Sequence, residues 1–206
     1  MKTYKTPSWV CAFTTGQEPF PFDESELAMP RQVHSAHVEW ACGPGRAPET
    51  DAVVTDVPGL PLVIKTADCI PVLLWDDEQR RVAAVHAGWR GTVADITGAT
   101  LDLMQSRGGH IGAVIGPGIS QPVFEVGDEV FDAFSSAGFP MDRIALRQGK
   151  WHLDLFEANR WLLERRGVTN IQVDGTCTFR SPYFYSARRD TINTGRNLNC
   201  ILIKEG

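Results

Sequence analysis

The 206-residue sequence has no Cys-x-x-Cys pair, and its five cysteines are odd in number and widely spaced. The first ten residues contain two lysines but no apolar segment of the kind that a secretory signal requires. Together these absences predict reduced thiols and a cytoplasmic protein. No apolar run approaches the roughly 18–20 residues of a membrane span, so we expect no membrane partner.

An excess of positive charge is also missing. Twenty lysines and arginines against 25 acidic residues give a formal net charge of −5. This balance argues against a broad nucleic-acid surface and leaves room only for a local basic pocket. Histidine is scarce, with five residues and no His-x-His pair. Five such histidines do not furnish the several imidazoles of a multinuclear copper cluster.

Short apolar runs predict the fold. Residues 51–56, 60–66, 111–115, 168–173 and 197–203 are typical of strands. Helices are expected from Thr92, over 125–137, and after Asp154, which has Glu157 as a capping partner. Strands cluster and helices interrupt them irregularly, which favours an α+β fold with a mixed sheet core and flanking helices. Length and the lack of a linker predict one domain over residues 1–206.

The stretch from Thr66 to Gly91 predicts a β-hairpin, because two apolar runs flank a polar turn. A hairpin symmetric about the Asp77–Glu78 bond places Cys69 directly opposite His86, with Cβ atoms roughly 4.5–5.5 Å apart. A one-residue slip would move the two side chains to opposite faces. A thiol and an imidazole at that distance can share a metal ion or act as nucleophile and base.

A third candidate ligand, His34, stands at the start of a strand expected over 32–38. Two imidazoles and a thiolate are ligands that zinc accepts, and a catalytic zinc site has three protein ligands with water in the fourth position. The alternative is that the cysteine is a small buried hydrophobe and the histidines are satisfied core groups.

Short motifs follow one another along the chain in a distinctive order: Gln32–Ser35, Thr66–Pro71, His86–Gly91, Gly116–Ile119, Phe124–Gly127, Asp174–Thr178, Arg188–Asp190 and Thr194–Arg196. The set resembles the laccase-domain family, formerly called multicopper polyphenol oxidases, from residue 31 to the end of the chain. Members of that family are described as purine nucleoside phosphorylases with adenosine deaminase activity, and its bacterial members include a peptidoglycan editing factor. The resemblance implies a fold related to a cysteine-hydrolase-like toxin domain.

The resemblance implies that His34, Cys69 and His86 bind zinc. The expected substrates are a purine nucleoside and phosphate, with adenosine deaminated by zinc-activated water. We expect Asp68 and Cys69 to have catalytic roles.

Phosphorolysis also needs an anion site, and guanidinium groups can supply one. Arg90, Arg188, Arg189 and Arg196 are the predicted contacts, with Arg90 also a catalytic candidate because it lies four residues after His86, where a strand leads into the helix expected from Thr92.

Two departures from the family pattern concern the substrate. The family's Phe-Thr-Thr-Arg is here Phe-Thr-Thr-Gly over residues 13–16, and the stretch from there to Gln32 is abbreviated. Ala187 stands where the family commonly has tyrosine. Both changes are expected to affect substrate choice.

Three other functions fit the same residues. One is an amidase that edits a peptidoglycan precursor. Another is a metal-free thiol hydrolase with Cys69 as nucleophile and His86 as base. The last is a non-catalytic protein with a structural zinc, which would need a fourth protein ligand that the sequence does not offer.

Overall fold

The structure is a computed structural model that describes residues 1–106 and 108–205. Its strands are β1 (Lys2–Thr3), β2 (Val10–Thr15), β3 (Ala28–Pro30), β4 (Val38–Trp40), β5 (Gly45–Ala47), β6 (Ala52–Thr55), β7 (Leu62–Thr66), β8 (Ile70–Asp76), β9 (Arg81–Ala87), β10 (Ile111–Ile115), β11 (Glu125–Val126), β12 (Ala145–Gln148), β13 (Lys150–Leu153), β14 (Asn170–Val173) and β15 (Asn197–Ile203). Its α-helices are α1 (Trp89–Val93), α2 (Ile96–Met104), α3 (Asp128–Ser136), α4 (Met141–Ile144), α5 (Leu155–Arg165) and α6 (Ala187–Asp190).

Two six-stranded sheets form most of the fold. The first has the strand order β1-β2-β15-β7-β3-β5, and the second has the order β14-β10-β8-β9-β6-β4. Strand β3 runs parallel to β5 and β7, β4 parallel to β6, and β10 parallel to β14, while the other pairs in these sheets are antiparallel. A small third sheet has the order β11-β13-β12. The predicted α+β fold with mixed sheets is confirmed.

The strand β8 shows how the layers are built. Its side chains alternate between the two faces of the second sheet, so that Val72 and Leu74 belong to one apolar cluster and Leu73 and Trp75 to another. The first cluster includes residues of α2, α3 and α5, and the second contains residues of the first sheet. Strand β8 is therefore buried on both faces, which explains its nearly continuous apolar sequence.

The predicted register of the β8–β9 hairpin is wrong. Pro71, not Cys69, pairs with His86. The Asp76 carboxylate accepts the backbone N–H groups of Glu78 and Gln79 at 2.8 and 2.9 Å, so the turn occupies four residues, 77–80. Such a side-chain turn competes with the shorter loop that symmetry suggested. The pairing moves by two residues, an even number, and for that reason Cys69 and His86 still share a face.

Several predicted boundaries also differ. Residues 32–37 form a loop and only Val38–Trp40 is a strand, because the backbone of His34 is left-handed, with φ of 62°. The helix expected from Thr92 is instead two helices, and Asp95 caps the second by accepting the N–H of Gly98 at 2.9 Å. The helix expected from residue 125 begins at Asp128, since Glu125–Val126 pairs with β13. The Asp154 cap of α5 is confirmed, with the N–H of Glu157 at 3.0 Å.

No helix within residues 1–106 and 108–205 combines the length and the apolar character needed to cross a lipid bilayer.

Truncation of the doubly covered strand β8 tests this packing. Leu74 is fully buried, and Leu74→Ala should lower the free energy of unfolding by about 2–5 kcal/mol because it leaves a cavity. Leu146 is 42% exposed, so Leu146→Ala should change it by less than about 0.5 kcal/mol. Urea unfolding followed by tryptophan fluorescence measures both. Equal losses for the two variants would contradict the burial of β8.

Candidate metal centre

Three side chains from separate segments converge at one place. His34 lies in the loop after β3, Cys69 immediately precedes β8, and His86 lies near the end of β9. Their ligand atoms are all within 4.8 Å of one another, and Cys69 Sγ is 4.0 Å from His34 Nε2. The two imidazole rings meet edge to face, with centroids 4.9 Å apart. The predicted convergence of His34 on the hairpin is therefore present in the structure.

The buried carboxylate of Asp51 orients His86. Its Oδ1 lies 2.7 Å from His86 Nδ1, and both side chains are almost wholly inaccessible to solvent. Because Nδ1 is engaged by the carboxylate, Nε2 is the nitrogen left to face the other two groups. Burial opposes ionisation of Asp51, but hydrogen bonds from His86 and Ser35 hold the pKa of its carboxyl well below the ordinary range.

The same carboxylate fixes the loop that carries His34. It accepts the backbone N–H groups of Val33, His34 and Ser35 at 3.1, 3.0 and 2.6 Å, and the Ser35 hydroxyl at 2.9 Å. These bonds hold His34 in its left-handed conformation, which a residue with a Cβ adopts only at a cost in free energy. Asp51 thus positions two of the three candidate ligands.

The third candidate ligand is linked to the same loop by Gln32. The Gln32 side-chain amide donates to the carbonyl of Lys65 and accepts its N–H, both at 2.8 Å. The amide thus makes the two hydrogen bonds that a neighbouring strand would make with the backbone near the end of β7, the strand that leads towards Cys69. The chain segments that carry His34 and Cys69 are therefore tied together by a pair of hydrogen bonds.

Gly88 leaves the space between the ligands open. A Cβ at this position would lie 3.1 Å from Cys69 Sγ and 3.2 Å from His34 Cδ2. Contacts that short would force the neighbouring side chains to move. The glycine of the His-Ala-Gly motif is consequently part of the architecture of the cluster.

Asp68, a predicted catalytic residue, ties the cluster to the C-terminal segment. Its carboxylate accepts the Thr178 hydroxyl at 2.6 Å and the backbone N–H of Arg188 at 2.7 Å. Its backbone has φ of 91°, another left-handed conformation beside the cluster. Both carboxylate oxygens therefore have protein donors, and the contacts that the structure gives Asp68 position the segment before Cys69.

The thiol and the imidazole of the hairpin influence each other strongly. Burial would raise the pKa of Cys69, but the charge of His86 and hydrogen bonds with both histidines lower it to about 6. Burial would lower the pKa of His86, but the Cys69 thiolate and the bond to Asp51 raise it to about 9. The interaction favours a thiolate beside an imidazolium in the metal-free pair, and a cation that binds to His86 displaces the proton of its ring nitrogen.

The cluster opens into a cavity of about 360 Å³. Its lining consists of Pro30, Arg31, Gln32, His34, Arg46, Lys65, Ala67, Cys69, His86, Ala187, Ile192 and Arg196. Four of these residues carry a positive charge and none is acidic. The three candidate ligands therefore line a cavity that also contains lysine and arginine side chains.

Of the four predicted phosphate contacts, Arg196 lines this cavity and the other three do not. The guanidinium of Arg90 lies over the Trp89 ring, 4.2 Å from its centroid. The guanidinium of Arg188 binds the backbone carbonyls of Val123 and Glu125, and that of Arg189 binds four backbone carbonyls as well as the adjacent Asp190 carboxylate. In this structure Arg188 and Arg189 hold loops together.

Sequence reasoning missed Asp51, Lys65, Arg31 and Arg46. Asp51 stands at the start of a buried strand, and a carboxylate in that position is a signal that it has internal donors. The three cations lie on or beside β7, β3 and β5, which are distant in sequence and adjacent in the sheet. Without the strand order their proximity has no signature in the sequence.

The donor set fits a divalent metal. Zinc is bound at about 2.0–2.1 Å by imidazole nitrogen and about 2.3 Å by thiolate, which places tetrahedral ligand atoms roughly 3.3–3.6 Å apart. The observed separations are a few tenths of an ångström to about an ångström wider, within reach of small side-chain rotations. No fourth His, Cys, Asp or Glu joins this cluster among the described residues, so one position would be open to water or substrate.

The other histidines lie elsewhere. His37 Nδ1 contacts the carbonyl of Glu49, and His152 Nδ1 contacts the carbonyl of Gln121. His110 is an exposed residue next to Glu78. Two imidazoles in one cluster do not provide the ligands of a multinuclear copper centre.

Comparisons with known proteins identify relatives of this chain. A curated relative from Bacteroides thetaiotaomicron, named purine nucleoside phosphorylase, is 48% identical over 163 residues, covering 74% of this chain and 60% of the relative. A protein from an unknown prokaryotic organism, named adenosine deaminase, is 40% identical over 201 residues, covering 88% of this chain and 77% of the relative. The chain thus spans about three fifths of the length of the Bacteroides protein.

A solved structure has the same fold. The hypothetical protein YfiH from Bacillus licheniformis superposes with a TM-score of 0.85 at 27% identity, covering 96% of this chain and 94% of that one. The sequence model described as multi-copper polyphenol oxidoreductase laccase matches residues 14–204. Nearly the whole chain is included in that match, and it belongs to the family so described.

Proposed function

We propose that this protein is a zinc-dependent purine nucleoside enzyme that catalyses phosphorolysis of adenosine, inosine or methylthioadenosine and deamination of adenosine. The observation that carries the proposal is the His34–Cys69–His86 cluster, which lines a cavity together with four lysine or arginine side chains and no aspartate or glutamate. The names of its relatives, purine nucleoside phosphorylase and adenosine deaminase, support the substrate class.

His34, Cys69 and His86 would hold the zinc ion, which would supply a water activated for attack at neutral pH. The residues of this chain prepare the site for that ion. Asp51 keeps Nε2 of His86 directed at the cluster, and the low pKa of Cys69 provides a thiolate without strong base. Gly88 keeps the approach to the ligands free of side-chain atoms.

Phosphorolysis requires an anion site near the ribose. In that reaction a phosphate oxygen forms a bond to C1′, the glycosidic bond breaks, and its electron pair passes to the purine nitrogen, which takes up a proton. Lys65 and Arg196 line the cavity together with the candidate ligands, and we assign phosphate binding to them. The guanidinium groups of Arg188, Arg189 and Arg196 all bind backbone carbonyls, but of the three only Arg196 also lines the cavity.

A second candidate function is hydrolysis by the Cys69 thiolate with a histidine as base and no metal. The observation that favours it is the distance of 4.0 Å between Cys69 Sγ and His34 Nε2 in the cluster. It differs from the first proposal in its response to chelators and to thiol-alkylating reagents.

Metal analysis tests the cluster directly. The purified protein should contain about one zinc ion per chain, and His34→Ala, Cys69→Ala or His86→Ala should each abolish it, because each removes one of only three ligands. His37→Ala is the matched control, since His37 is an exposed residue outside the cluster and its loss should leave the zinc content unchanged. Copper in place of zinc would overturn the choice of metal, and full zinc content in all three cluster variants would overturn the site.

The role of Asp51 predicts a graded effect. Asp51→Asn keeps the shape of the side chain but removes the charge that orients His86, so zinc affinity should fall about 10–100-fold. Competition with a fluorescent zinc chelator measures it. Asp132→Asn, at an exposed position of α3, is the control. Wild-type affinity in a folded Asp51→Asn protein would refute the positioning role.

Activity assays separate the candidate reactions. The zinc-loaded protein should release purine base from adenosine, inosine or methylthioadenosine only with phosphate, and ammonia from adenosine without it. Chelation should abolish both activities, and zinc should restore them. Full activity after chelation, lost on alkylation of Cys69, would instead support the thiol hydrolase. Turnover of a UDP-muramoyl amino acid alone would replace the nucleoside proposal with the editing amidase.

A further inference from the structure

The cavity has more positive charge than the proposed reaction needs. Four of the chain's 20 lysines and arginines line it, and none of its 25 acidic residues does, although the net charge of the chain is −5. Inorganic phosphate carries about −1.5 to −2 charges at neutral pH, which two cations balance. With Lys65 and Arg196 assigned to that phosphate, Arg31 and Arg46 are left over.

These two arginines are available to a ligand. The side chain of Arg31 is exposed and has no hydrogen bond or ion pair with any residue that the structure describes. Arg46 is paired with Glu24, but both side chains are more than half exposed, and such pairs contribute little to stability. A phosphate group can therefore displace Glu24 from Arg46 at small cost in free energy.

The strand order arranges three of the cations in a row across the first sheet. Strands β7, β3 and β5 are consecutive in the first sheet, with Lys65 on β7, Arg31 just after β3 and Arg46 on β5. Neighbouring strands lie about 4.8 Å apart, and the register offsets Arg46 from Lys65 by two residues along the strand, so their backbone positions are separated by roughly 12 Å. The row begins beside the segment that carries Cys69 and extends away from it. It suits a ligand with one reacting end at the cluster and an anionic group at a distance.

We propose that the cavity binds purine nucleotides, with the phosphate ester on the ribose held by Arg31 and Arg46. This inference rests on the proposed purine nucleoside function and specifies its substrate class as the phosphorylated nucleoside. Lys65 and Arg196 remain the site of inorganic phosphate, so the four cations match two phosphate groups. Ester phosphate and guanidinium form paired, charge-assisted hydrogen bonds, which explains why arginines occupy the distal positions.

Isothermal titration calorimetry on the zinc-loaded full chain tests the proposal with AMP, adenosine and inorganic phosphate as separate ligands. AMP should bind at least about tenfold more tightly than adenosine at low ionic strength, since charge-assisted hydrogen bonds are strong. Salt should weaken AMP binding more than adenosine binding. Arg31→Gln and Arg46→Gln should each lower the ratio of AMP to adenosine affinity by about tenfold. Arg165→Gln, which alters an exposed arginine stacked on Trp161, should leave the ratio unchanged.

Three results would overturn the proposal: AMP binding no tighter than adenosine, an unchanged affinity ratio in both glutamine variants, or tighter binding of UDP-N-acetylglucosamine through the same two arginines. The last would identify the anionic ligand as a nucleotide sugar. Turnover assays distinguish a failure of the nucleotide subsite from a failure of the proposed enzymatic function. AMP binding that depends on Arg31 and Arg46 without turnover of any nucleoside supports the subsite and refutes the enzymatic function. Phosphorolysis of adenosine without tight AMP binding supports the enzymatic function and refutes the nucleotide subsite.

Discussion

The carboxylate of Asp51 is the group on which the arrangement of the site depends. It joins β9 to a loop that is remote in sequence, because one oxygen contacts His86 and the pair of oxygens accepts three consecutive N–H groups around His34. A buried carboxylate without donors would cost several kcal/mol, and here every donor belongs to the segments that must be brought together. The interaction that satisfies the carboxylate is therefore the same interaction that positions the imidazoles.

The second sheet supplies the rigid part of the site, and the edge of the first sheet supplies its charge. Strands β8 and β9 are buried on both faces, so the segment that follows Cys69 and the strand that carries His86 are fixed by packing. Three of the four cations lie on or beside β7, β3 and β5, and Arg196 lies just before β15. Asp51 and the buried strands thus fix His86, while exposed positions on or beside the first sheet supply charge, and the hydrogen bonds between Gln32 and Lys65 connect the two parts.

The sequence predicts this fold wherever one interaction dominates. Strands β10 and β15 have the predicted bounds, since their apolar runs are bordered by turn residues, and the Asp154 cap locates α5. The hairpin register is wrong because the Asp76 side chain builds a longer turn than the symmetric pattern suggests. The convergence of His34 on Cys69 and His86 follows from the family resemblance and from the shared face of the hairpin. The contacts of Asp51 that hold these residues in place join segments that are distant in sequence, and the periodicity of apolar residues does not reveal them.

Two residues at the cluster have a left-handed backbone, the candidate ligand His34 and Asp68, which precedes Cys69, and each is held by hydrogen bonds from outside its own segment. His34 has φ of 62° and is held through Asp51, while Asp68 has φ of 91° and is held through Thr178 and Arg188. Such conformations cost about 1–3 kcal/mol each, so they persist only where several partners enforce them. His34 is a candidate ligand, and Asp68 is adjacent to the candidate ligand Cys69, so both backbone conformations help to direct a ligand side chain into the cluster. An extended or helical backbone at these positions would point the side chains of His34 and Cys69 in other directions. The left-handed backbone of His34 also interrupts the strand that the alternating sequence of residues 32–38 predicts.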